Sequence, residues 1–239
     1  MHREGVTERL RRVEDRIAGA CARSGRDPTE IQLVAITKGH PASTLVAALE
    51  AGLGRIGENR VGEALDKFAA AADSMERHAA VRHMVGHLQR NKARLAVGAF
   101  DWIQSVDSLR LAEELSRRVA DRTQRMPVLI EVNAGREEQK HGLSPDEAIE
   151  QAGRIAELPG ITVRGLMTMA PFTSDEGVLR KTFRQARAVF ERLAEQDHDA
   201  GLAADTLSMG MSGDFEVAIE EGSTMVRLGT VLFGSREKV

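Results

Sequence analysis

The stretch IQLVAITKGHPASTLVAALEAG (31–52) contains one complete strand–helix unit. Its first part, IQLVAIT (31–37), is a short apolar run rich in β-branched residues, which is typical of a buried strand. In the second part, PASTLVAALEAG (41–52), Pro41 suits a first helical turn and Gly52 suits a helix end. The unit therefore predicts a strand that leads through a short loop into a helix.

Similar units follow along the chain. Seven further strands are expected at 55–59, 81–86, 102–106, 127–133, 161–169, 206–210 and 225–229. Helical patterns lie between them at 60–72, 89–98, 108–122, 145–158, 175–196 and 214–221. This alternation predicts a parallel sheet with right-handed crossovers, and eight units in a chain of this length fit a (β/α)8 TIM-type barrel. An open doubly wound sheet is the alternative.

An extra helix is expected before the first strand. On the charged segment 4–22, one apolar stripe with spacings of three and four residues is formed by Val6, Leu10, Val13, Ile17 and Cys21. The fold class predicted is α/β, a single (β/α)8 barrel with an extra N-terminal helix. We expect one domain that covers residues 1–239.

The charge balance is close to neutral. The 239 residues carry 33 Lys+Arg and 36 Asp+Glu, a formal charge of −3, which gives no global electrostatic case for binding nucleic acid or an anionic membrane. The single cysteine excludes an intramolecular disulfide and a multi-cysteine zinc site, and we expect no metal. No apolar run approaches about 18 residues and the start has no signal-peptide core, so we expect a cytoplasmic protein. We also expect a monomer, since no extra interface element stands out in the sequence.

Lys38 directly follows the first predicted strand. In a (β/α)8 barrel the carboxyl ends of the strands form the active face, so this lysine is expected at the rim of an apolar interior. Desolvation there disfavours the ammonium form, and a neutral amine can form a Schiff base with an aldehyde. The alternative is a lysine that extends from the strand end into solvent.

The last two predicted strands are followed by residues suited to an anion. Ser212 is a candidate helix N-cap, and Gly229 and Thr230 follow the last strand, where glycine lets backbone N–H groups approach a ligand. Barrel phosphate sites commonly lie after strands 7 and 8, and closure places strand 8 beside strand 1 and Lys38. A lysine Schiff base beside a phosphate site suggests pyridoxal 5′-phosphate (PLP). The alternative for Ser212 is a cap without a ligand.

Arg227 lies inside the last predicted strand, where an unpaired arginine is costly. PLP sites often place an Asp or Arg against the pyridine nitrogen, and we expect this role for Arg227. Because arginine does not donate its proton there, the nitrogen would stay unprotonated and the ring would be a poor electron sink. Pairing with a carboxylate at the barrel rim is the alternative.

Three further residues are candidates for contact with the cofactor. Asn59 follows the second predicted strand and His87 follows the third, so either could touch the ring or its 3′-oxygen. Met209 lies between two other candidates in the sequence. A helix cap or a packed histidine is the alternative for His87, and the basic patch HLQRNKAR (87–94) is interpreted as a solvated helix face.

These motifs resemble those of the pyridoxal phosphate homeostasis proteins. The resemblance runs from about residue 31 to 236 and is carried by ITKGHP (36–41), IGENRVGEA (56–64), VGHLQRNKA (85–93), EVNAGREEQKHGL (131–143), GLMTMAP (165–171), LSMGMSGD (207–214) and VRLGTVLFG (226–234). It implies a barrel like the N-terminal domain of alanine racemase, with PLP held by Lys38 as an internal aldimine. It further implies that Ser212, Gly229 and Thr230 bind the phosphate and that Arg227 faces the pyridine nitrogen. Asn59 and His87 would lie near the ring.

The resemblance also implies a function, that of a carrier or regulator of intracellular PLP without an established catalytic turnover. PLP-dependent apoenzymes are the implied recipients. Alanine racemase-like enzymes need a tyrosine from a separate β-domain as a second acid/base, whereas this chain has no tyrosine and we expect no second domain. A PLP-dependent amino-acid racemase or lyase is the alternative function, and a barrel enzyme for another phosphorylated substrate is a third.

Overall fold

Eight parallel strands close into a barrel in the computed structural model, which describes residues 3–119, 124–135, 137, 141–196 and 201–235. In chain order the strands are β1 Gln32–Ile36, β2 Arg55–Glu58, β3 Val81–Met84, β4 Trp102–Val106, β5 Met126–Glu131, β6 Ile161–Met167, β7 Leu202–Ser208 and β8 Met225–Leu228. Each strand pairs with the next, and β8 pairs with β1. The (β/α)8 prediction is therefore confirmed, and the open doubly wound sheet is excluded.

Helices connect the strands and precede the first one. They are α1 Arg3–Ser24, α2 Ala42–Glu50, α3 Val61–Ala70, α4 Ala72–Arg77, α5 Ala93–Ala99, α6 Leu109–Arg118, α7 Pro145–Ala156, α8 Glu176–Ala194, α9 Phe215–Glu220 and α10 Thr230–Phe233. Short 3₁₀ turns at Pro28–Glu30 and Arg90–Lys92 precede β1 and α5. Within the described ranges, no helix combines the length and apolar character needed to cross a membrane.

The N-terminal helix α1 packs its predicted apolar stripe against the barrel helices. All five stripe residues are buried, and α1 contacts α9 and α10. The Arg16 guanidinium lies 4.5 Å from the centre of the Phe215 ring, and its Nη2 donates to Glu216 Oε2 at 2.6 Å. The stripe therefore fixes α1 to the end of the chain that carries the last strand.

Some element boundaries differ from the sequence prediction. Strand β7 begins at Leu202, four residues before the predicted start, and the single helix expected over 60–72 ends at Ala70. Ala71, at φ −116° and ψ 14°, leaves the helical conformation, and α4 then forms a second short helix. The apolar periodicity of the sequence continues through this break, so it did not predict that the helix divides into α3 and α4.

The barrel brings the ends of its first and last strands together. Val34 lies opposite Arg227 and Ala35 lies opposite Leu228 in the β1–β8 register. Lys38 and Gly229 therefore leave neighbouring strands at the same end of the barrel. This is the carboxyl end of the sheet, where (β/α)8 proteins place their active sites.

Candidate functional site

A cavity of about 410 Å³ opens at the carboxyl ends of β1 and β8. Six of the eight predicted site residues line it, namely Lys38, Asn59, Ser212, Arg227, Gly229 and Thr230. The loop after β6, at 169–173, contributes a wall that sequence analysis did not predict, and its Phe172 side chain is fully exposed at the rim. The cavity therefore has polar groups on one side and an open, partly apolar edge on the other.

Lys38 is half-buried and lines the cavity two residues beyond the end of β1. Thr37 is buried before it, and Gly39 after it has a φ of 69°, a left-handed conformation that glycine adopts without strain. The chain turns sharply here, because the His40 N–H donates back to the Thr37 carbonyl at 3.1 Å. The amine of Lys38 is thus carried by a tight turn at the barrel rim.

Ser212 joins the loop after β7 to the start of α10. Its Oγ accepts hydrogen bonds from the backbone N–H groups of Gly229 and Val231, both at 3.3 Å. The prediction that Ser212 caps the helix following β7 is wrong, because α9 begins after Asp214. Ser212 therefore contacts the backbone that follows β8 and brings the two predicted anion-binding loops together.

Arg227 is buried inside the barrel and is held by neutral oxygens. Its Nη1 donates to Ser208 Oγ at 2.7 Å, and its Nη2 donates to the Thr168 carbonyl at 2.9 Å. Burial lowers the pKa of Arg227 to about 10, while the carboxylates of Asp214 and Glu131 oppose this change. The guanidinium therefore remains cationic at neutral pH and places a fixed positive charge at the floor of the cavity.

A buried polar chain continues from Arg227 across the barrel. Ser208 Oγ donates to Gln104 Oε1 at 2.7 Å, and Gln104 Nε2 donates to His83 Nδ1 at 3.0 Å. Burial, aided by the charge of Arg55, lowers the pKa of His83 to about 3, so its imidazole is neutral. The side chains behind Arg227 are therefore uncharged and fix its orientation through hydrogen bonds.

Asn59 approaches a glycine of the neighbouring loop. A Cβ atom on Gly86 would lie 2.4 Å from the Asn59 carbonyl oxygen, a distance that no side chain tolerates. Gly86 precedes His87 in the motif VGHLQRNKA (85–93), and its role was not predicted from the sequence. The motif therefore helps to seat Asn59 at the cavity through close backbone packing.

Glu131, at the end of β5, is almost fully buried, and its Oε2 has no hydrogen-bond partner. Burial is the main cause that raises its pKa from 4.5 to about 7; the Asp107 carboxylate adds to the rise and Arg227 opposes it. The carboxyl group is therefore close to half-protonated at neutral pH. It lies near enough to Arg227 to modulate the charge of the cavity floor.

This raised pKa predicts a pH-dependent stability. Between about pH 4.5 and 7 the glutamate ionises in the unfolded chain while it stays protonated in the fold, so the folded state loses stability as the pH rises. We expect a loss of roughly 3 kcal/mol over this window that is absent in Glu131→Gln. Urea unfolding of both proteins at several pH values measures it. If the free energies of unfolding of the two proteins differed by the same amount at every pH, the prediction would be contradicted.

A family profile and two curated relatives match nearly the whole chain. Residues 10–237 match a family profile described as "Alanine racemase, N-terminal domain". The pyridoxal phosphate homeostasis protein of Aquifex aeolicus is 41% identical over 231 residues, covering 96% of this chain and 98% of that protein. Its Escherichia coli K12 counterpart is 38% identical over 236 residues, covering 97% of each. The chain belongs to the pyridoxal phosphate homeostasis protein family.

Solved structures place this homeostasis-family member next to a PLP-bound relative. PipY of Synechococcus elongatus PCC7942, with PLP bound, has a TM-score of 0.80 and 36% identity and covers 96% of this chain and 100% of its own. Alanine racemase of Clostridium difficile 630 has a TM-score of 0.73 at 15% identity, and the match covers 98% of this chain and 58% of the racemase. The racemase likeness therefore shows a shared fold only.

Two of the eight predicted site residues, Met209 and His87, do not line the cavity. Met209 is fully buried in the apolar core, and its N–H donates to the Met225 carbonyl. His87 is exposed, with its Nδ1 at 3.1 Å from Asp107 Oδ2. Their contact with a cofactor ring stays a prediction.

His87 also belongs to a cluster with potential metal ligands. Within the described part of the chain, His87, Asp107 and His141 each offer a ligand atom, all within 4.8 Å of one another. The two imidazole rings stack at 3.9 Å with only 13° between their planes. An ion bound by a histidine lies close to the plane of its ring, and two planes that diverge by only 13° meet far outside coordination distance of either ring. The cluster is therefore built as a stacked pair beside a carboxylate.

Proposed function

We propose that the protein binds PLP in the barrel-mouth cavity and serves as a carrier or regulator of PLP. When bound, PLP would supply an aldehyde that condenses with the neutral Lys38 amine to a Schiff base, with release of one water molecule. The observation that carries the proposal is that one cavity of about 410 Å³ is lined by Lys38, by the Ser212 and Gly229 loops and by Arg227. An amine, an anion-binding loop pair and a cation match the aldehyde, phosphate and pyridine of this cofactor.

The phosphate would be held where the loops after β7 and β8 meet. The Ser212 hydroxyl oxygen accepts hydrogen bonds from two backbone N–H groups. Its O–H proton can still be donated to an anion. A Cβ atom on Gly229 would lie 3.2 Å from the Ile36 carbonyl, which supports close approach of this loop to β1. Thr230 adds an exposed hydroxyl at the same loop.

Arg227 supports a carrier rather than a racemase or lyase. A cationic guanidinium beside the pyridine nitrogen disfavours protonation of that nitrogen, and an unprotonated ring stabilises a substrate carbanion poorly. Hydrogen bonds to Ser208 and to the Thr168 carbonyl fix the orientation of the guanidinium, so its positive charge stays at the floor of the cavity. The exposed rim at Phe172 leaves an entrance through which a bound cofactor can be exchanged.

Ser212→Ala is expected to weaken PLP retention by roughly 1–2 kcal/mol, the effect of losing one hydrogen bond to a charged group. The variant also removes the acceptor for the Gly229 and Val231 N–H groups, so the loop after β8 loses a support. Equilibrium dialysis against PLP measures the change. The control is alanine in place of Ser24, a half-buried serine at the end of α1 whose hydroxyl donates to the Ala20 carbonyl at 2.9 Å. Equal PLP affinity in Ser212→Ala and wild type would remove Ser212 from the phosphate site.

The absorption spectrum of the purified protein tests the proposal as a whole. We expect PLP to produce a visible Schiff-base band that borohydride abolishes. A protein that stays colourless with PLP would contradict the proposal and favour another phosphorylated ligand. Fast exchange of the α-hydrogen of alanine or serine in deuterated water would instead favour the racemase or lyase. The apoenzyme recipients, the monomeric state and the cytoplasmic location stay predictions from the sequence.

A further inference from the structure

A second lysine, Lys67, is buried directly behind the turn that carries Lys38. Its Nζ donates three hydrogen bonds, to the Thr37 carbonyl at 2.7 Å, to Glu58 Oε1 at 2.6 Å and to Glu63 Oε1 at 3.2 Å. An ammonium group has three protons, so these contacts use its full donor capacity. Lys67 does not line the cavity, which separates its role from that of Lys38.

The same cluster grips the backbone on both sides of Lys38. Before it, Thr37 receives the Lys67 bond on its carbonyl and donates from Oγ1 to Glu58 Oε1 at 2.6 Å. After it, the Gly39 N–H donates to Glu63 Oε1. Glu63 Oε1 therefore accepts from both Gly39 and Lys67, and it links the contact after Lys38 to the contact before it.

This support matters because the sheet no longer holds the chain at Lys38. The last sheet-type bond of β1 runs from the Thr37 N–H to the Gly57 carbonyl at 3.1 Å. Gly39, in a left-handed conformation, has the widest choice of backbone angles of any residue type. The contacts from Lys67 and Glu63 therefore hold the backbone on both sides of Lys38 where the pairing of β1 has ended.

We propose that Glu63 and Lys67 are positioning residues that hold residues 37–39 so that the Lys38 amine faces the cavity. The inference rests on the proposed function, since it assigns the cluster a role toward the amine that binds PLP. Glu63 is the sharper target for a test, because it is only partly buried in the first turn of α3 and its removal leaves the Lys67–Glu58 pair intact.

The experiment compares PLP release from wild type, Glu63→Ala, Glu63→Gln and Asp66→Ala. Each protein is loaded with PLP and diluted into a phosphatase that consumes free PLP, and the loss of the Schiff-base band is followed. We expect about 10-fold faster release from Glu63→Ala, equivalent to one hydrogen bond to a charged group. Glu63→Gln should stay close to wild type because its amide oxygen still accepts from Gly39. Asp66, exposed on the same helix, is the matched acidic control.

A second readout separates positioning from general stability. The induced circular dichroism per bound PLP reports the orientation of the chromophore, and we expect it to fall in Glu63→Ala and to recover in Glu63→Gln. If Glu63→Ala does not fold, Glu63→Asp replaces it, because the shorter carboxylate cannot reach both Gly39 and Lys67 as before. Thermal unfolding of the PLP-free proteins establishes which variants are folded.

The outcomes distinguish this inference from the function on which it rests. Unchanged release and dichroism in the folded Glu63 variants would overturn the positioning role while Lys38 remains the PLP-binding amine. Equal changes in Asp66→Ala and Glu63→Ala would overturn it too, because the effect would then follow helix charge. Absence of a reducible band in the wild type would instead overturn the proposed function.

Discussion

Replacing Lys67 by methionine is expected to lower the free energy of unfolding by about 3–5 kcal/mol. The Glu58 carboxylate is fully buried, and its Oε2 already lacks a partner. Burial raises the pKa of Glu58, and the hydrogen bond from Lys67 is the largest effect that opposes this rise. Methionine keeps most of the side-chain volume, so the loss reports the missing ammonium group rather than a cavity. Urea unfolding of the PLP-free protein measures it.

Two further variants control this measurement. Lys181→Met makes the same substitution at an exposed position of α8, and we expect a change within about 0.5 kcal/mol. Adding Glu58→Gln to Lys67→Met removes the unpaired buried charge, so the double variant should recover part of the lost stability. A loss below about 1 kcal/mol in Lys67→Met would show that the buried ion cluster contributes little to the fold.

Lys38→Ala is expected to abolish the borohydride-reducible PLP band while leaving the fold intact. The side chain is half-buried at the edge of the cavity, so its truncation removes little packing, whereas the amine that attacks the aldehyde is lost. Absorption after desalting, before and after reduction, measures the band. Lys92→Ala, in the exposed basic patch before α5, is the control and should retain the band in full.

The fate of the visible band in Lys38→Ala decides between two assignments. Loss of the band with an unchanged unfolding temperature supports Lys38 as the PLP-binding amine. An undiminished band of the same shape would show that another lysine holds PLP. Noncovalently retained PLP is compatible with the first outcome, because it would show the absorption of the free aldehyde and leave no pyridoxyl group on the protein after reduction.

The barrel could be predicted from the sequence because short apolar runs alternate with helical patterns along the whole chain. Both faces of a parallel barrel strand are covered, so IQLVAIT (31–37) is mostly apolar, and closure then follows from eight strand–helix units. The same reasoning predicts that Lys38, Ser212 and Gly229 lie at one end of the barrel, because each follows a strand. These residues line one cavity as expected.

The supporting contacts around the site could not be predicted in this way. Lys67 is buried although it belongs to a helix face with charged neighbours, and its pairing with Glu58 depends on the exact rotation of α3 against β2. The polar chain from Arg227 to His83 joins residues far apart in sequence inside the barrel. Periodicity identifies which face of an element is buried, but not which buried polar groups meet.

Borohydride reduction of the PLP-loaded wild-type protein, followed by proteolysis and mass spectrometry, tests the central claim most directly. The account predicts that the pyridoxyl group is found on the peptide that contains Lys38, in an amount close to one per chain. Recovery of the label mainly on another lysine, with the Lys38 peptide unmodified, would contradict it.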